Sequence, residues 1–229
     1  MKKVLLGLIL VTTAVLSANA QVYIQGGLNL ANISKTNNGQ TEENSVLPTF
    51  NVGILGRLPI TKMFSLESGL LFTGRGSKAE TYFNGGNDYI KSRFNPLYLE
   101  LPLNAVVKIP LENECNIFFN AGPYVAMGIA GKSVSESKFG PLYSSSSETI
   151  DFSDDDPFTS EIEDASYSKL KRFDAGLNFG AGFELKYLIL KVNYGLGLTK
   201  INSTETDNQA NDKNKYRTLS FSVGFPLGR

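Results

Sequence analysis

The segment FDAGLNFGAGFELKYLILKVNYGLGLT, residues 173–199, decides the fold of this chain. Apolar side chains occupy every odd position of 173–185, and glycine, asparagine or acidic residues occupy the even ones. After a tight turn, apolar side chains occupy every even position of 188–198, and Lys191, Asn193 and two glycines lie between them. Period-two alternation predicts β-strands. Globular strands usually stop at about 5–6 residues, whereas bilayer-spanning strands need about 9–11, so these two have membrane-spanning length.

A hairpin with one apolar face and one polar, glycine-rich face is the repeat unit of a transmembrane β-barrel. The same alternation recurs along the chain and predicts eight strands in all, at about 21–30, 49–58, 63–75, 93–108, 116–130, 173–185, 188–199 and 215–225. Pro102 and Pro123 lie inside two of them and each removes a ladder hydrogen bond, so β-bulges are expected there.

The connections between these strands alternate between long and short. The long ones are 31–48, 76–92, 131–170 and 200–214, and the short ones are 59–62, 109–115 and a turn at Leu185-Lys186. Outer-membrane barrels have long outer loops and short periplasmic turns. The predicted fold is therefore all-β, an eight-stranded antiparallel up-and-down transmembrane β-barrel. A secreted barrel of the lipocalin type is the competing interpretation, but it would turn its large apolar side chains inward.

The turn at Leu185-Lys186 also predicts a register for the hairpin formed by residues 173–199. Directly opposed residues of an antiparallel pair lie on one face. The predicted outward pairs are Phe183 with Leu188, Ala181 with Leu190, Phe179 with Val192 and Leu177 with Tyr194. The same register sets Asn178 against Asn193 and Gly180 against Lys191 on the inner face.

The first twenty residues have the features of a secretory signal peptide. Lys2 and Lys3 precede an apolar core at 4–16, and Ala18-Asn19-Ala20 offers small residues for cleavage. The core is shorter than the roughly 20 apolar residues of a transmembrane helix. We therefore expect a signal peptide at 1–20, a barrel domain at 21–229, and a mature protein in the cell outer membrane with its long loops extracellular.

Composition excludes several kinds of function. Loss of Lys2 and Lys3 changes the formal net charge from 0 to −2, and this near-neutral balance argues against a nucleic-acid partner. The single cysteine, Cys115, cannot form an internal disulfide. The chain has no histidine, so a Ser-His-Asp triad or a histidine metal site cannot form. We expect no enzyme activity, no metal and no cofactor.

Eight charged residues fall on the faces predicted to point inward. Four are acidic, and carboxylate-only chemistry is one interpretation of them. An eight-stranded barrel is just wide enough for side chains to fill it, however, and unpaired buried charges are costly. The favoured interpretation is a charge-paired structural network made of Arg57, Glu67, Arg75, Glu100, Lys108, Asp174, Glu184 and Lys191.

The third long connection, 131–170, carries nine acidic and three basic residues. Its densest acidic part, 151–156, could bind Ca²⁺, which prefers carboxylate oxygens, although the spacing of an EF-hand is absent. A solvated acidic loop is favoured by the composition. An adhesin or docking role for this loop is the functional alternative.

Five motifs recur in order along nearly all of the mature chain: GGLNLANI at 26–33, FSLESGLLF at 64–72, YLELPL at 98–103, AGPY at 121–124 and FDAGLNFGAG at 173–182. Together they resemble the PorT-like outer-membrane β-barrel family. The resemblance implies an outer-membrane barrel. A founding member of the family is tied to protein secretion and gliding, but barrel motifs do not encode that role.

The expected function is that of a non-enzymatic outer-membrane barrel with a structural or surface-interaction role. The alternatives are a component of an envelope protein-secretion assembly, a narrow channel, or an adhesin acting through the acidic loop. Outer-membrane lipid is the expected partner, with envelope or secretion proteins as further candidates. No small-molecule substrate is indicated.

Overall fold

The computed structural model describes residues 20–37, 40–43, 45–111, 115–153, 169–201 and 214–227. These residues form thirteen strands and one short 3₁₀ turn, Asn84–Gly86. The strands are β1 Gln21–Asn37, β2 Gln40–Glu43, β3 Leu47–Pro59, β4 Phe64–Gly74, β5 Ser77–Phe83, β6 Asp88–Pro110, β7 Asn116–Phe139, β8 Leu142–Thr149, β9 Asp151–Ser153, β10 Lys169–Lys171, β11 Phe173–Glu184, β12 Ile189–Gly197 and β13 Lys215–Pro226.

Eight of these strands close into a ring in which every neighbour is antiparallel. The order around the ring is β1, β3, β4, β6, β7, β11, β12 and β13, and β13 pairs with β1 to complete it. Closure satisfies the backbone of every strand and leaves no barrel edge unpaired. The predicted eight-stranded antiparallel barrel is confirmed, and all eight predicted strands are present.

The two ends of the barrel differ in their connections. At one end, here the turn rim, short connections join β3 to β4, β6 to β7 and β11 to β12, and β1 begins and β13 ends there. The opposite end, the loop rim, carries the long connections. Both described chain ends lie at the turn rim, since Tyr23 pairs with Pro226.

Strands continue past the loop rim into two of the predicted long loops. β5, the first part of β6, the last part of β7 and β8 form a four-stranded antiparallel sheet, here the hairpin sheet (residues 77–95 and 132–149). At its tip, the backbone amide of Gly140 donates to Asp88 Oδ1 (2.7 Å). Gly140 has φ 58°, a conformation that glycine adopts without strain. Residues 76–92 and 131–153, which fall in the predicted long loops, are thus mostly strand.

The two faces of the barrel wall have opposite chemistry. Large apolar side chains on the outer face remain exposed, for example Leu28 (51%), Ile54 (54%) and Phe179 (47%). Asparagines, serines, threonines and charged side chains fill the inner face and are buried. An apolar belt on the outer face of a barrel wall marks a lipid-contacting surface. Among the described residues, none of the helical elements is long and apolar enough to span a bilayer.

The predicted register of the hairpin formed by β11 and β12 is wrong by two residues. Phe183 pairs with Leu190, Phe179 with Tyr194 and Leu177 with Leu196; on the inner face Asn178 opposes Gly195, Gly180 opposes Asn193 and Gly182 opposes Lys191. The turn consists of Lys186 and Tyr187, because the amide of Leu185 donates to the carbonyl of Leu188 (2.7 Å). A turn one residue earlier would have set Tyr187 against Glu184 on the inner face. The observed turn leaves Tyr187 in solvent, 74% exposed.

The bulges expected at the two prolines are also absent. Pairs between β6 and β7 keep one register on both sides of Pro102 and Pro123, and the β7–β11 ladder passes Pro123 without a shift. The irregularity lies between Leu97 and Tyr98, where β7 carries one extra residue. Each proline therefore costs a hydrogen bond locally but adds no residue to the ladder.

Phe179 tests the assignment of the lipid-facing side. It lies midway along β11, opposite Ala121 and Tyr194. Phe179→Lys should destabilise the folded barrel by about 2–4 kcal/mol, because a lysine near the bilayer midplane loses its hydration. Phe179→Leu is the matched control and should fold nearly as well as the parent. Urea titration in lipid vesicles, with the folded fraction read from heat-modifiable gel mobility, measures the stability of both variants. Equal midpoints for the lysine and leucine variants would contradict the assignment.

Candidate functional site in the barrel interior

The barrel interior holds all eight charged residues predicted to point inward. Four are cations (Arg57, Arg75, Lys108, Lys191) and four are carboxylates (Glu67, Glu100, Asp174, Glu184), so their formal charges sum to zero. Alternation along five elements of the wall directs these side chains to one interior. The structure divides them into two clusters, one near each rim.

Glu67 on β4 is the centre of the cluster near the turn rim. Its side chain is 0% exposed and contacts two cations, with Arg57 Nε at 2.7 Å and Lys191 Nζ at 2.6 Å. The hydroxyl of Tyr23 donates to Oε2 (2.8 Å), and the side-chain amide of Asn104 donates to Oε1 (3.2 Å). Both carboxylate oxygens thus accept two hydrogen bonds each, which is the condition for holding a buried charge at modest cost.

Glu184 extends this cluster to a second carboxylate. Arg57 Nη1 lies 2.7 Å from Glu184 Oε2, and Lys108 Nζ lies 2.8 Å from the same oxygen. The Arg57 guanidinium also lies over the ring of Phe118, 4.1 Å from its centroid, so one of its faces makes a cation–π contact. Apolar side chains surround the cluster and keep water from it, namely Tyr23, Leu55, Val106, Phe118 and Ile189.

Arg75 is the centre of the cluster near the loop rim. Its two terminal nitrogens form ion pairs with Glu100 and Asp174. The hydroxyl of Tyr124 donates to Asp174 (3.0 Å), and the guanidinium lies 4.5 Å from the Tyr124 ring centroid and 5.4 Å from that of Tyr98. One arginine therefore bridges two carboxylates inside an aromatic enclosure. The formal charge of this cluster is −1, and the +1 of the cluster near the turn rim balances it.

A chain of side-chain amides extends from Glu100 of the cluster near the loop rim. Asn178 donates to Glu100 (3.0 Å), Asn193 donates to Asn178 (3.2 Å), and Asn120 donates to Asn193 (3.0 Å). Between the clusters lies a cavity of about 40 Å³, lined mainly by polar side chains. Among the described residues nothing donates to the buried Oδ1 of Asn104, which lines this cavity. The space suits a few water molecules, one of which could donate to that oxygen.

The loop rim is covered by apolar side chains, some of which no sequence pattern predicts. Phe152 of β9 packs edge-on against Tyr98 (ring centroids 5.9 Å), and Tyr98 in turn contacts Tyr216 (5.6 Å). Further buried members of this cap are Ile33, Tyr124, Ala126, Ile150, Leu170 and Ile201. The inward positions of the three tyrosines were visible in the sequence. The inward return of residues 150–153 and 169–171 had no periodic signal.

The acidic stretch considered for Ca²⁺, 151–156, lies mostly outside the described residues. Only Asp151 to Ser153 are described, as β9, which pairs in parallel with β10. In the described part of the chain, acidic and cysteine side chains do not gather in threes to form a metal-binding group.

Comparison with known proteins gives a family match over most of the chain. Residues 16–203 match the family model described as outer membrane protein beta-barrel domain. No curated protein matches the sequence.

Several solved barrels are similar to this chain at low identity. Ail, the attachment invasion locus protein of Yersinia pestis, shows 14% identity and a TM-score of 0.41, covering 92% of this chain and 100% of Ail. Neisserial surface protein A shows 12% identity and a TM-score of 0.42, with the same coverage. The translocator domain of autotransporter NalP from Neisseria meningitidis shows 8% identity and a TM-score of 0.31, covering 90% of this chain and 88% of that domain.

Glu67→Gln tests whether the interior ion pairs hold the barrel together. Removing this charge leaves Arg57 with one carboxylate and Lys191 with none, so we expect a loss of about 3–5 kcal/mol of stability. The urea midpoint of the refolded barrel in phosphatidylcholine vesicles measures the loss. Glu80→Gln is the matched control: it breaks the ion pair with Lys78 (3.2 Å), which lies outside the barrel. Similar midpoints for the two variants would show that the interior pairs add little.

Proposed function

The chain belongs to the outer membrane protein beta-barrel domain family, and we propose that it acts in the outer membrane without catalysis. It would serve as a rigid membrane anchor that presents the hairpin sheet at the cell surface. One observation carries this proposal. The barrel interior is filled and electrically neutral, while the strands on one side continue beyond the membrane wall as a sheet exposed on both faces.

The interior does not suit acid–base chemistry. A general base needs a carboxylate that is available to a substrate proton. The four interior carboxylates each form an ion pair with at least one cation, and Glu67 has all four of its hydrogen bonds made by protein groups. A substrate would have to displace a buried ion pair to reach any of them.

The interior also argues against a wide channel. Eight strands enclose a space that side chains fill, and the two ion clusters lie one above the other across it. The apolar cap around Tyr98, Phe152 and Tyr216 closes the loop rim as well. The narrow-channel alternative would require both clusters to open together.

The proposal places the loop rim outside the cell and the turn rim in the periplasm. Cys115 lies at the turn rim, between β6 and β7, and is the only cysteine of the chain. On intact cells a membrane-impermeant maleimide should leave Cys115 unlabelled. The same reagent should label Ser145→Cys in a Cys115→Ala background, because residue 145 lies on the exposed strand β8. Labelling of Cys115 after the outer membrane is permeabilised is the control. Labelling of Cys115 on intact cells would invert the proposed orientation.

A role in an envelope secretion assembly, as in the PorT-like proteins, is the second candidate. The free edge of the hairpin sheet favours it. All eight side chains of β8 are exposed, and among the described residues β8 pairs only with β7. An exposed edge strand with no proline and one charge, Glu148, is a template for adding a strand from a partner.

A photo-crosslinking residue at Ser146 separates the two candidates. Ser146 lies on the edge strand, and Ser92 occupies the same row and face on the interior strand β6. An assembly component should give a discrete crosslinked envelope protein from position 146 and none from position 92. A barrel that acts alone should give no discrete product from either position.

A further inference from the structure

The hairpin sheet is exposed on both sides, but its two faces carry different chemistry. Side chains on β6 keep their alternation through the loop rim, so the even-numbered positions continue the inner face and the odd-numbered positions continue the lipid-facing face. The outer face of the sheet is therefore the direct continuation of the lipid-contacting wall. Leu97 and Leu99 are the last apolar residues of β6 on that wall, and Asn95 and Arg93 follow them.

The cations of the hairpin sheet all lie on its outer face. Residues paired across the strands share a face, and the pairs Lys78–Arg93, Glu80–Lys91, Lys91–Glu136, Tyr89–Lys138 and Asn95–Lys132 assign them. The outer face has five cations and two carboxylates, a formal sum of +3. The inner face has Asp88 and Glu148 and no cation, a formal sum of −2.

Among the described residues, only two of the five cations form an ion pair or a cation–π contact. Lys78 Nζ forms an ion pair with Glu80 Oε1 (3.2 Å). The hydrogen bond in this pair lowers the pKa of the Glu80 carboxyl. Lys91 lies over the rings of Tyr89 and Tyr82. Among the described residues no carboxylate forms an ion pair with the remaining outer-face cations, Arg93, Lys132 and Lys138.

Two of these cations, Lys132 and Arg93, lie within side-chain reach of lipid headgroups. A strand rises about 3.3 Å per residue and is tilted by about 40° in such barrels. Lys132, which pairs with Asn95, then lies about 5 Å beyond Leu97, and Arg93 about 10 Å beyond it. The polar layer of a bilayer is about 5–8 Å thick on each side, so Lys132 lies within it. Arg93 lies about 2 Å or more beyond the layer, and its long side chain can reach back into it. Lys138 lies about 20 Å beyond Leu97, outside that layer.

We propose that the outer face of the hairpin sheet, through Arg93 and Lys132, binds a phosphorylated headgroup of the outer-leaflet lipid. A cation at this depth is adjacent to lipid phosphates, and arginine and lysine both bind phosphate oxygens by charge-assisted hydrogen bonds. The bound lipid would hold the base of the hairpin sheet, around Arg93 and Lys132, at the membrane surface. The inference rests on the proposed orientation only in assigning this lipid to the outer leaflet.

Native mass spectrometry of the detergent-solubilised barrel, incubated with diphosphoryl lipid A, tests the proposal. Each cation near an anionic lipid surface raises affinity about fivefold, so Arg93→Gln/Lys132→Gln should bind about thirtyfold more weakly. Lys138→Gln is the depth control, with the same face and the same charge change, and should weaken binding by less than about twofold. The charge-preserving variant Arg93→Lys/Lys132→Arg should bind like the parent.

Heat-modifiable mobility verifies that each variant is folded. If the double glutamine variant does not fold, Val134→Glu replaces it, because Val134 pairs with Arg93 and a carboxylate there should weaken binding without removing a cation. Parent-like binding by the double variant would overturn the proposal. So would an equal loss in Lys138→Gln, or displacement of lipid A by 10 mM inorganic phosphate, since either result shows a general anion surface. The binding assay does not depend on orientation in the cell, so its failure would leave the maleimide result standing.

Discussion

Neutralisation of charge inside a closed space is the constraint on which this structure depends. An eight-stranded barrel has no room for bulk water, so each interior charge needs a partner there. The cluster around Glu67 and Arg57 draws side chains from β1, β3, β4, β6, β11 and β12, which is six of the eight wall strands. A change of register in any of these strands would separate at least one pair. The ion clusters therefore couple the strands across the interior, as the backbone ladders couple them around the wall.

The inner-face glycines make this packing possible. A Cβ at Gly182 would lie 2.6 Å from the ring of Phe118, and one at Gly176 would lie 2.6 Å from the ring of Tyr124. Those rings are the ones that pack against Arg57 and Arg75. The glycines thus provide clearance for the aromatic side chains that enclose each guanidinium. This explains Gly176 and Gly182 of β11 without assigning them to a ligand.

Sequence alone could predict which side chains of the wall face inward. It could not predict the strand register, the hairpin sheet or the cap. Alternation identifies which side chains point inward, because the period of a strand is two. It cannot distinguish registers that differ by two residues, since both put the same side chains inside, and that is the error made at Lys186-Tyr187. The hairpin sheet escaped prediction because water contacts both its faces, so serine and charge occupy both sets of positions. The cap at Phe152 escaped because its residues return inward without any periodicity.

The same reasoning explains why β6 changes character along its length while keeping one geometry. Its inner row passes from the ion clusters to Tyr98 and then to Ser92, and its outer row passes from leucines to Asn95, Arg93 and Lys91. The side chains alternate throughout, but the outer row is apolar only where lipid is its solvent. Where the outer row turns cationic, the inner row stays uncharged down to Asp88. A surface that only needed solubility would have no reason to separate charge by face, and this asymmetry is what ties the exposed sheet to the membrane below it.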